Sequence, residues 1–421
     1  MNFKRKLWWA QHRTDVYKYG TILSLVLIVT ISIIYFTYSK FSSTNEMTMY
    51  ETTVEPFIKN DYFIASYIDG EWSNEIPGKN DGYVVDKIVC DNGATGTWDN
   101  EEWGINIRNA TKKIKCSVFF KQISMADQIL ELSTTDTTNF ATDDPDNNIR
   151  YIGANPNNYV YFNCSDYSNQ SDSTCEKWRI IGVFKNITKS DGSKADLVKI
   201  IRDDSLGSIA WNSNNVNDWS TASLQTTLNG TYYNGTYATG ALKNDATRNA
   251  IESVVWNLGG TDGNNFTSSS NGLASHFYGY ERGTTVYSGR PTTWTGKIGL
   301  MYPSDYGYAT SGGSTTDRAA CLAKEMYNWD GSDVSDCKNN DYLYKSGYLQ
   351  WTLAPLSSSP ASAFYVYSAG SIGGYYRVDN LGIDFDGLTS AVRPVAFLKS
   401  NISITNVGTG TSESPFQLKV G

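Results

Sequence analysis

Apolar and polar residues alternate in different ways along the chain. From Tyr19 to Ser39 the 21 residues carry no formal charge, with a core that reads TILSLVLIVTISIIYFT. At about 1.5 Å rise per residue, a helix of this length spans the roughly 30 Å hydrocarbon core of a bilayer. A polar stretch follows at 40–60. Beyond it, short apolar runs alternate with Gly, Asn and Asp turns, which is typical of antiparallel strands.

Positive charge gives the predicted membrane helix an orientation. One acid, Asp15, and five basic residues precede it: Lys4, Arg5, Lys6, Arg13 and Lys18. The positive-inside rule predicts a cytoplasmic tail at 1–18, a transmembrane signal anchor at 19–39 in the lipid bilayer, a stalk at 40–60 and an extracellular remainder. A cleaved signal peptide is the alternative, but its apolar region is shorter and ends at a small-x-small site, which is missing here.

The exported part is predicted to be α+β with two domains. Residues 61–121 read as a small antiparallel β module, 122–148 as a linker and 149–420 as a larger domain. Within the linker, SMADQILELS indicates a short helix, and Asp143, Asp144 and Asp146 read as a solvated turn because they lack calcium-loop spacing. Residues 218–258 are predicted to be helical from two apolar stripes at helical spacing, with Asp218 as a cap: Trp219, Leu224 and Leu228; then Leu242, Ile251, Val255 and Leu258.

The six cysteines all follow residue 89 and fall into sequence-local pairs. Pairing of neighbours is one of 15 possible connectivities, and disulfides are permitted in an oxidising compartment. A reactive thiol is the functional alternative, although no CxxC spacing occurs. The expected disulfides join Cys90 to Cys116, Cys164 to Cys175 and Cys321 to Cys337.

Composition narrows the function further. Aromatic residues make up 14% of the chain and charged residues 19%, which excludes global disorder. A net charge of −8 argues against nucleic acid as a partner, because that binding needs a basic surface. Only two histidines are present, and neither a Walker loop nor a dinucleotide-binding glycine motif occurs, so no metal and no cofactor are expected.

Four segments together carry a resemblance to a known family. They are NNYVYFN with WRIIGVF as an opening hairpin (157–163, 178–184), DWSTASLQTTLNGTYYN (218–234), GKIGLMYPSDYGYA (296–309) and QWTLAP with AVRPVAFLKS (350–400). In this order they resemble the C-type-lectin-like domain of unknown function in Firmicutes surface proteins. That family is distantly similar to the variable proteins of diversity-generating retroelements and to the formylglycine-generating-enzyme fold. Residues 61–121 resemble the small Ig-like β modules that occur in such proteins.

Two departures limit what the resemblance implies. The lectin motifs that hold calcium and sugar, Glu-Pro-Asn and Trp-Asn-Asp, are absent, and QWTLAP lacks the Arg of the common family form. Cys321 and Cys337 carry no motif of the formylglycine-generating enzymes, so that activity is not expected. The resemblance implies that Trp351 and Arg393 determine the fold, Trp351 in the core and Arg393 as a buried hydrogen-bonding post.

The segment 356–390 is the candidate ligand-binding face. It interleaves tyrosines with Ser, Gly and Asn, a composition that suits recognition because the rings give rigid contact area and the small residues adapt. In the resembling fold the ligand lies on this surface, although tyrosines that alternate in a strand also contribute to a core. The candidate residues are Tyr365, Tyr367, Tyr375, Tyr376, Arg377, Asp379 and Asn380.

Catalytic candidates are weaker. His276 is the only histidine beyond the predicted anchor, and no nucleophile motif accompanies it, so we read it as structural. Asp384 and Asp386 are spaced as in a strand end or turn. The leading hypothesis is therefore non-catalytic recognition of an extracellular protein or glycan. An envelope enzyme that acts on wall glycans through paired acids and a self-assembling structural component are the alternatives.

Overall fold

The computed structural model describes residues 12–14, 17–30, 62–79, 82–110, 113–238, 240–313, 316–331, 335–379, 389–405 and 407–420. The chain forms two compact units, one of Met1–Lys79 with Val85–Lys121 and one of Asn80–Val84 with Gln122–Gly421. About 22% of the chain is helix and 33% is strand, which fits the predicted α+β composition.

The predicted transmembrane helix is wrong. Residues 17–30 are helical, but no helix in the described part of the chain is long and apolar enough to cross a membrane. Residues 31–39 of the predicted segment and the predicted stalk at 40–60 lie outside the described residues.

The first unit is built on a four-stranded sheet. Its strands are β1 (Tyr62–Ile68), β2 (Glu71–Ser73), β3 (Tyr83–Cys90), β4 (Thr95–Asp99), β5 (Gly104–Arg108) and β6 (Ile114–Gln122). The sheet order is β2-β1-β6-β3, and β4 and β5 form a separate antiparallel hairpin. Because β1 and β6 run parallel, the sheet is mixed and not the antiparallel one that was predicted.

The strands of the larger unit form four further sheets. They are β7 (Phe140–Ala141), β8 (Ile149–Tyr151), β9 (Tyr159–Phe162), β10 (Glu176–Thr188), β11 (Lys194–Arg202), β12 (Val254–Asn257), β13 (Thr293–Gly296), β14 (Ile298–Gly299), β15 (Tyr348–Pro355), β16 (Ser362–Val366), β17 (Ile372–Arg377), β18 (Thr389–Ala391), β19 (Val395–Phe397), β20 (Ser403–Ile404) and β21 (Leu418–Lys419).

Two of these sheets position the candidate sites. The seven-stranded sheet has the order β14-β19-β11-β10-β8-β7, with β9 also paired to β10. The antiparallel pairing of β9 with β10 confirms the predicted opening hairpin. A four-stranded sheet has the order β17-β16-β15-β18, and β12–β13 and β20–β21 are two-stranded.

The helices are short. They are α1 (Met125–Thr135), a 3₁₀ turn (Trp219–Thr221), α2 (Ser223–Thr227), a π turn (Leu228–Tyr232), α3 (Asp245–Ala250), α4 (Gly263–Phe266), α5 (Ala274–Glu281), α6 (Pro303–Gly307), α7 (Arg318–Leu322), a 3₁₀ turn (Met326–Asn328) and α8 (Ser335–Asn339). The predicted helix in the linker is confirmed as α1, whose Met125 and Ile129 are buried in the main core. Asp218 caps the first 3₁₀ turn by accepting from the Ser220 amide, as predicted.

The second predicted helix is only partly correct. Its first part is α3, but the chain leaves the helix after Ala250, and Val254–Asn257 forms β12. The two valines and Trp256 pair with β13, more than thirty residues further along the chain. This tertiary pairing outweighs the local apolar spacing, since β-branched residues pack well in strands.

Three disulfides close local loops: Cys90–Cys116, Cys164–Cys175 and Cys321–Cys337. The predicted pairing of neighbouring cysteines is confirmed, and a reactive thiol is excluded because no cysteine is free. The core of the larger unit is rich in large aromatic side chains, including Trp178, Trp211, Trp219, Trp256, Trp329 and Trp351.

Candidate functional site

The candidate tyrosines of 356–390 lie on both faces of the four-stranded sheet. Tyr375 and Tyr376 are neighbours on β17, so their side chains point to opposite faces. The half-buried Tyr376 ring lies 5.7 Å from the buried Trp351 ring and 5.5 Å from that of Tyr365. Tyr365 and Tyr376 therefore pack on the side of Trp351, and Tyr375 lies on the other side.

The Tyr365 ring depends on a glycine opposite it. A Cβ atom at Gly373, its partner in β17, would lie 2.3 Å from the Tyr365 ring. The Tyr367 ring lies 6.5 Å from Tyr365. Tyr365, Tyr367 and Tyr376 are thus half-buried packing residues, and the predicted single binding face is divided.

On the other side, two exposed rings and one buried ring form what we call the aromatic face: Tyr375, Tyr327 and the buried Phe266. Phe266 is fully buried, and its ring lies 5.4 Å from Tyr375 and 5.7 Å from Tyr327. Tyr375 is 62% exposed and Tyr327 is 42% exposed. Strand β17, helix α4 and the 3₁₀ turn Met326–Asn328 each contribute one ring. Two exposed tyrosine rings are therefore packed against one buried phenylalanine ring.

Charged candidates flank the aromatic face. Arg377 lies two residues after Tyr375 on β17, so it belongs to the same face of the sheet. Its Nε and Nη2 donate to the Asp379 carboxylate at 3.1 and 3.0 Å. The hydrogen bond from Arg377 holds the pKa of Asp379 below its usual value. Asn380, Asp384 and Asp386 lie outside the described residues.

Trp351 and Arg393 lie in the interior. Trp351 is 2% exposed in β15. Arg393 is also buried, and its Nε donates to the Arg202 carbonyl at 2.9 Å. Its Nη1 donates to the carbonyl of Leu343 at 3.2 Å and to Gln350 Oε1 at 3.1 Å. Arg393 thereby joins the seven-stranded sheet to β15, which is the role of a buried hydrogen-bonding post.

The larger unit contains a buried charge network, formed by Arg150, Asp144, Asp305 and Lys199. The sequence did not predict it. Arg150 Nε lies 2.6 Å from Asp144, and its Nη1 lies 3.1 Å from Asp305. Lys199 Nζ contacts the other oxygen of Asp305. Burial raises the pKa of Asp305, but Lys199 and Arg150 outweigh it and hold that pKa below its usual value. The one available signal was a lysine inside the apolar run LVKII.

Beside this network, Glu281 is also buried. Its Oε1 accepts from the Ser304 amide at 2.8 Å, and its Oε2 lies 3.3 Å from Arg282 Nη1. Burial raises the pKa of Glu281 to about 7, against the opposing effects of Arg282 and Ser304. Burial also lowers the pKa of Lys199 to about 8. These two groups titrate near neutrality.

The predicted solvated turn of acids is wrong for Asp144, which is 3% exposed because Arg150 holds it inside. Asp143 instead pairs with Arg318 at 2.7 Å, and Asp146 accepts from the Tyr278 hydroxyl at 2.5 Å. The three carboxylates thus have separate partners. No group of three or more His, Cys, Asp or Glu residues within the described ranges could hold a metal ion.

His276 lies on α5 with its ring 6.4 Å from that of Tyr280. Its Nδ1 is buried without a hydrogen-bond partner in the part of the chain that the structure describes. Neither the Tyr280 ring nor the unpartnered Nδ1 links the imidazole to an acid that would orient it as a general base.

Comparison with protein-family models, curated proteins and solved structures gave no match. The lectin-like and Ig-like resemblances therefore stay predictions.

Proposed function

We propose that this protein recognises an extracellular protein or glycan without catalysing a reaction, and that the aromatic face is its binding surface. The observation that carries the proposal is the pair of exposed tyrosines, Tyr375 and Tyr327, supported by the buried Phe266. Tyrosine and arginine are enriched among the residues that dominate binding energy. A ring already fixed by its neighbours loses little conformational freedom when a ligand covers it.

Arg377 adds polar recognition beside the rings. Its side chain is 62% exposed, and its guanidinium is held by the two hydrogen bonds to Asp379. A fixed guanidinium presents its remaining N–H groups in a defined direction, which favours carboxylate and carbonyl partners. The three disulfides support an extracellular location, because disulfides persist in oxidising compartments.

The test uses the full chain in glycan-array and pull-down screens, followed by affinity measurement on any ligand found. We expect Tyr375→Ala and Tyr327→Ala each to weaken binding at least tenfold, since each removes a central contact. Tyr348→Ala is the matched control. Tyr348 is 41% exposed and is the first residue of β15. It lies at the opposite end of this strand from Pro355, which pairs with Ala363 of β16.

We expect the control to bind within twofold of the unchanged chain. If affinity is retained in the double variant of Tyr375 and Tyr327, the aromatic face is not the binding surface. Circular dichroism of each variant verifies that the fold is intact.

A further inference from the structure

A polar cleft opens beside the buried charge network, away from the residues of the aromatic face. It has a volume of about 320 Å³. This lies near the lower end of the range for small-molecule sites, about 300–1,000 Å³. The polar cleft is defined by Asp146, Lys185, Asn186, Asn257, Tyr278 and Arg282, and Phe184 also lines it.

One wall of the polar cleft is rigid. The Tyr278 hydroxyl accepts from Asn148 Nδ2 at 2.9 Å and donates to Asp146 Oδ2 at 2.5 Å. The guanidinium of Arg282 lies 3.3 Å from the centre of the Tyr278 ring, and its Nη1 is held by Glu281. Because these side chains are already held in place, little conformational entropy is lost when a ligand binds to them.

The polar cleft is also lined by polar side chains that form no hydrogen bond or ion pair with the described residues. Lys185 and Asn186 donate through their backbone amides, to Asn148 and Asp196, and the backbone of Asn257 bonds to the Tyr302 hydroxyl. Their side chains make no hydrogen bond or ion pair within the described residues. The side chains of Lys185, Asn186 and Asn257 thus line the cleft without partners among the described residues.

The cationic side chains in and near the polar cleft indicate the charge of its ligand. Within the described ranges, Arg150 and Lys199 contact carboxylates of the buried charge network, and Arg282 contacts Glu281 beside it. Lys185 also lines the cleft, and it has no carboxylate partner among the described residues. An ammonium with no carboxylate beside it is free to form a charge-assisted hydrogen bond with an anion, so the cleft favours an anion at this point.

The amides indicate the rest of the ligand. An Asn side chain offers two donors and an acceptor, which matches a hydroxyl that both donates and accepts. Asp146 adds a carboxylate acceptor at the far side, and its side chain is 56% exposed. We propose that the polar cleft binds a hydroxylated carboxylic acid of monosaccharide size, with its carboxylate on Lys185 and its hydroxyls on Asn186, Asn257 and Asp146.

Calorimetric titration of the full chain with three probes tests this site. D-glucuronate supplies both the carboxylate and the hydroxyls, D-glucose the hydroxyls alone and acetate the charge alone. We expect glucuronate to bind at least tenfold more tightly than either of the other two, because only it engages both sets of groups.

Variants locate the binding. Lys185→Gln should weaken glucuronate binding at least tenfold. Lys194→Gln, which changes an exposed lysine at the start of β11, should leave it within twofold. Asn257→Ala should weaken glucuronate and leave acetate unchanged. Tyr375→Ala should not affect this binding, so a failure of the aromatic face and a failure of the polar cleft are distinguishable.

Each contrary result overturns a part of the proposal. Equal affinity for glucose and glucuronate overturns the anionic ligand, and equal affinity for acetate overturns the role of the hydroxyls. Unchanged glucuronate binding in a folded Lys185→Gln variant overturns the location. Absence of glucuronate binding to the folded chain overturns the ligand class.

Discussion

Glu281 is the residue whose burial has the clearest consequence in solution. Its pKa in the folded protein is about 7, against an ordinary value of 4.5. Between these values the folded chain holds a proton that the unfolded chain has released. Stability from this group is therefore fully present below pH 4.5 and is lost as the pH rises through 7.

We expect the free energy of unfolding to fall by about 1–3 kcal/mol between pH 5 and pH 7 for this reason. Urea unfolding at pH 5, 6 and 7 measures it. Glu281→Gln stays neutral at every pH and should flatten the slope, whereas Glu131→Gln, on the exposed side of α1, should keep it. A slope that persists in Glu281→Gln would assign the titration to another group.

For single residues, the sequence predicted which residue types belong to the candidate binding face but not which way their side chains point. Period-two alternation separates Tyr375 from Tyr376, but it does not say which of the two meets solvent. That depends on Phe266 and Trp351, which are distant in the sequence. The sequence predicted Asp144 as a turn residue and gave Asp305 no role of its own, because the partners that bury the two carboxylates come from β8 and β11.

Among the elements, strand β10 sets the geometry of the buried charge network. Gly182 pairs with Arg150 of β8 on one side and with Lys199 of β11 on the other. A register shift in β10 lies between Ile180 and Gly182. A Cβ atom at Gly182 would lie 2.1 Å from the carbonyl oxygen of Ile149. The glycine therefore lets the two strands that carry Arg150 and Lys199 flank β10 at this point.

Gly182→Ala is expected to destabilise the protein by about 3 kcal/mol, at the upper end for overpacking, because the obstacle is backbone that cannot rotate away. Urea unfolding measures the loss. Gly279→Ala is the control, since a Cβ there meets nothing within 4 Å inside helix α5. It should be neutral or stabilising by up to about 1 kcal/mol. Equal stability of the two variants would contradict the close approach at Gly182.

Element types were predictable where the pattern was local. The helix α1 and the cap at Asp218 follow from residues a few positions apart, and each strand of the β9–β10 hairpin follows from its own apolar run. The segment 251–258 was not predictable in this way. Ile251, Val255 and Leu258 satisfy a helical stripe, but Val254–Asn257 gains its hydrogen bonds from β13. Local spacing carries no information about that partner.

For the whole molecule, the two compact units differ in how much apolar core supports them. The buried apolar side chains of the first unit are few, and the larger ones are Ile105, Ile114, Val118 and Phe120. The second unit has an extensive aromatic core. A small unit buries a smaller fraction of its surface and relies more on cross-links. The Cys90–Cys116 disulfide spans 26 residues and joins β3 to β6.

Removing this disulfide should therefore loosen the first unit selectively. By loop-closure entropy, Cys90→Ala with Cys116→Ala costs about 3–4 kcal/mol. We expect limited proteolysis, mapped by mass spectrometry, to cut residues 62–121 at least tenfold faster than in the unchanged chain. Residues 122–421 should stay resistant. Cys321→Ala with Cys337→Ala is the control, because that loop lies in the second unit and its loss should leave 62–121 intact. Faster cleavage of both units in the first variant would mean that they unfold together.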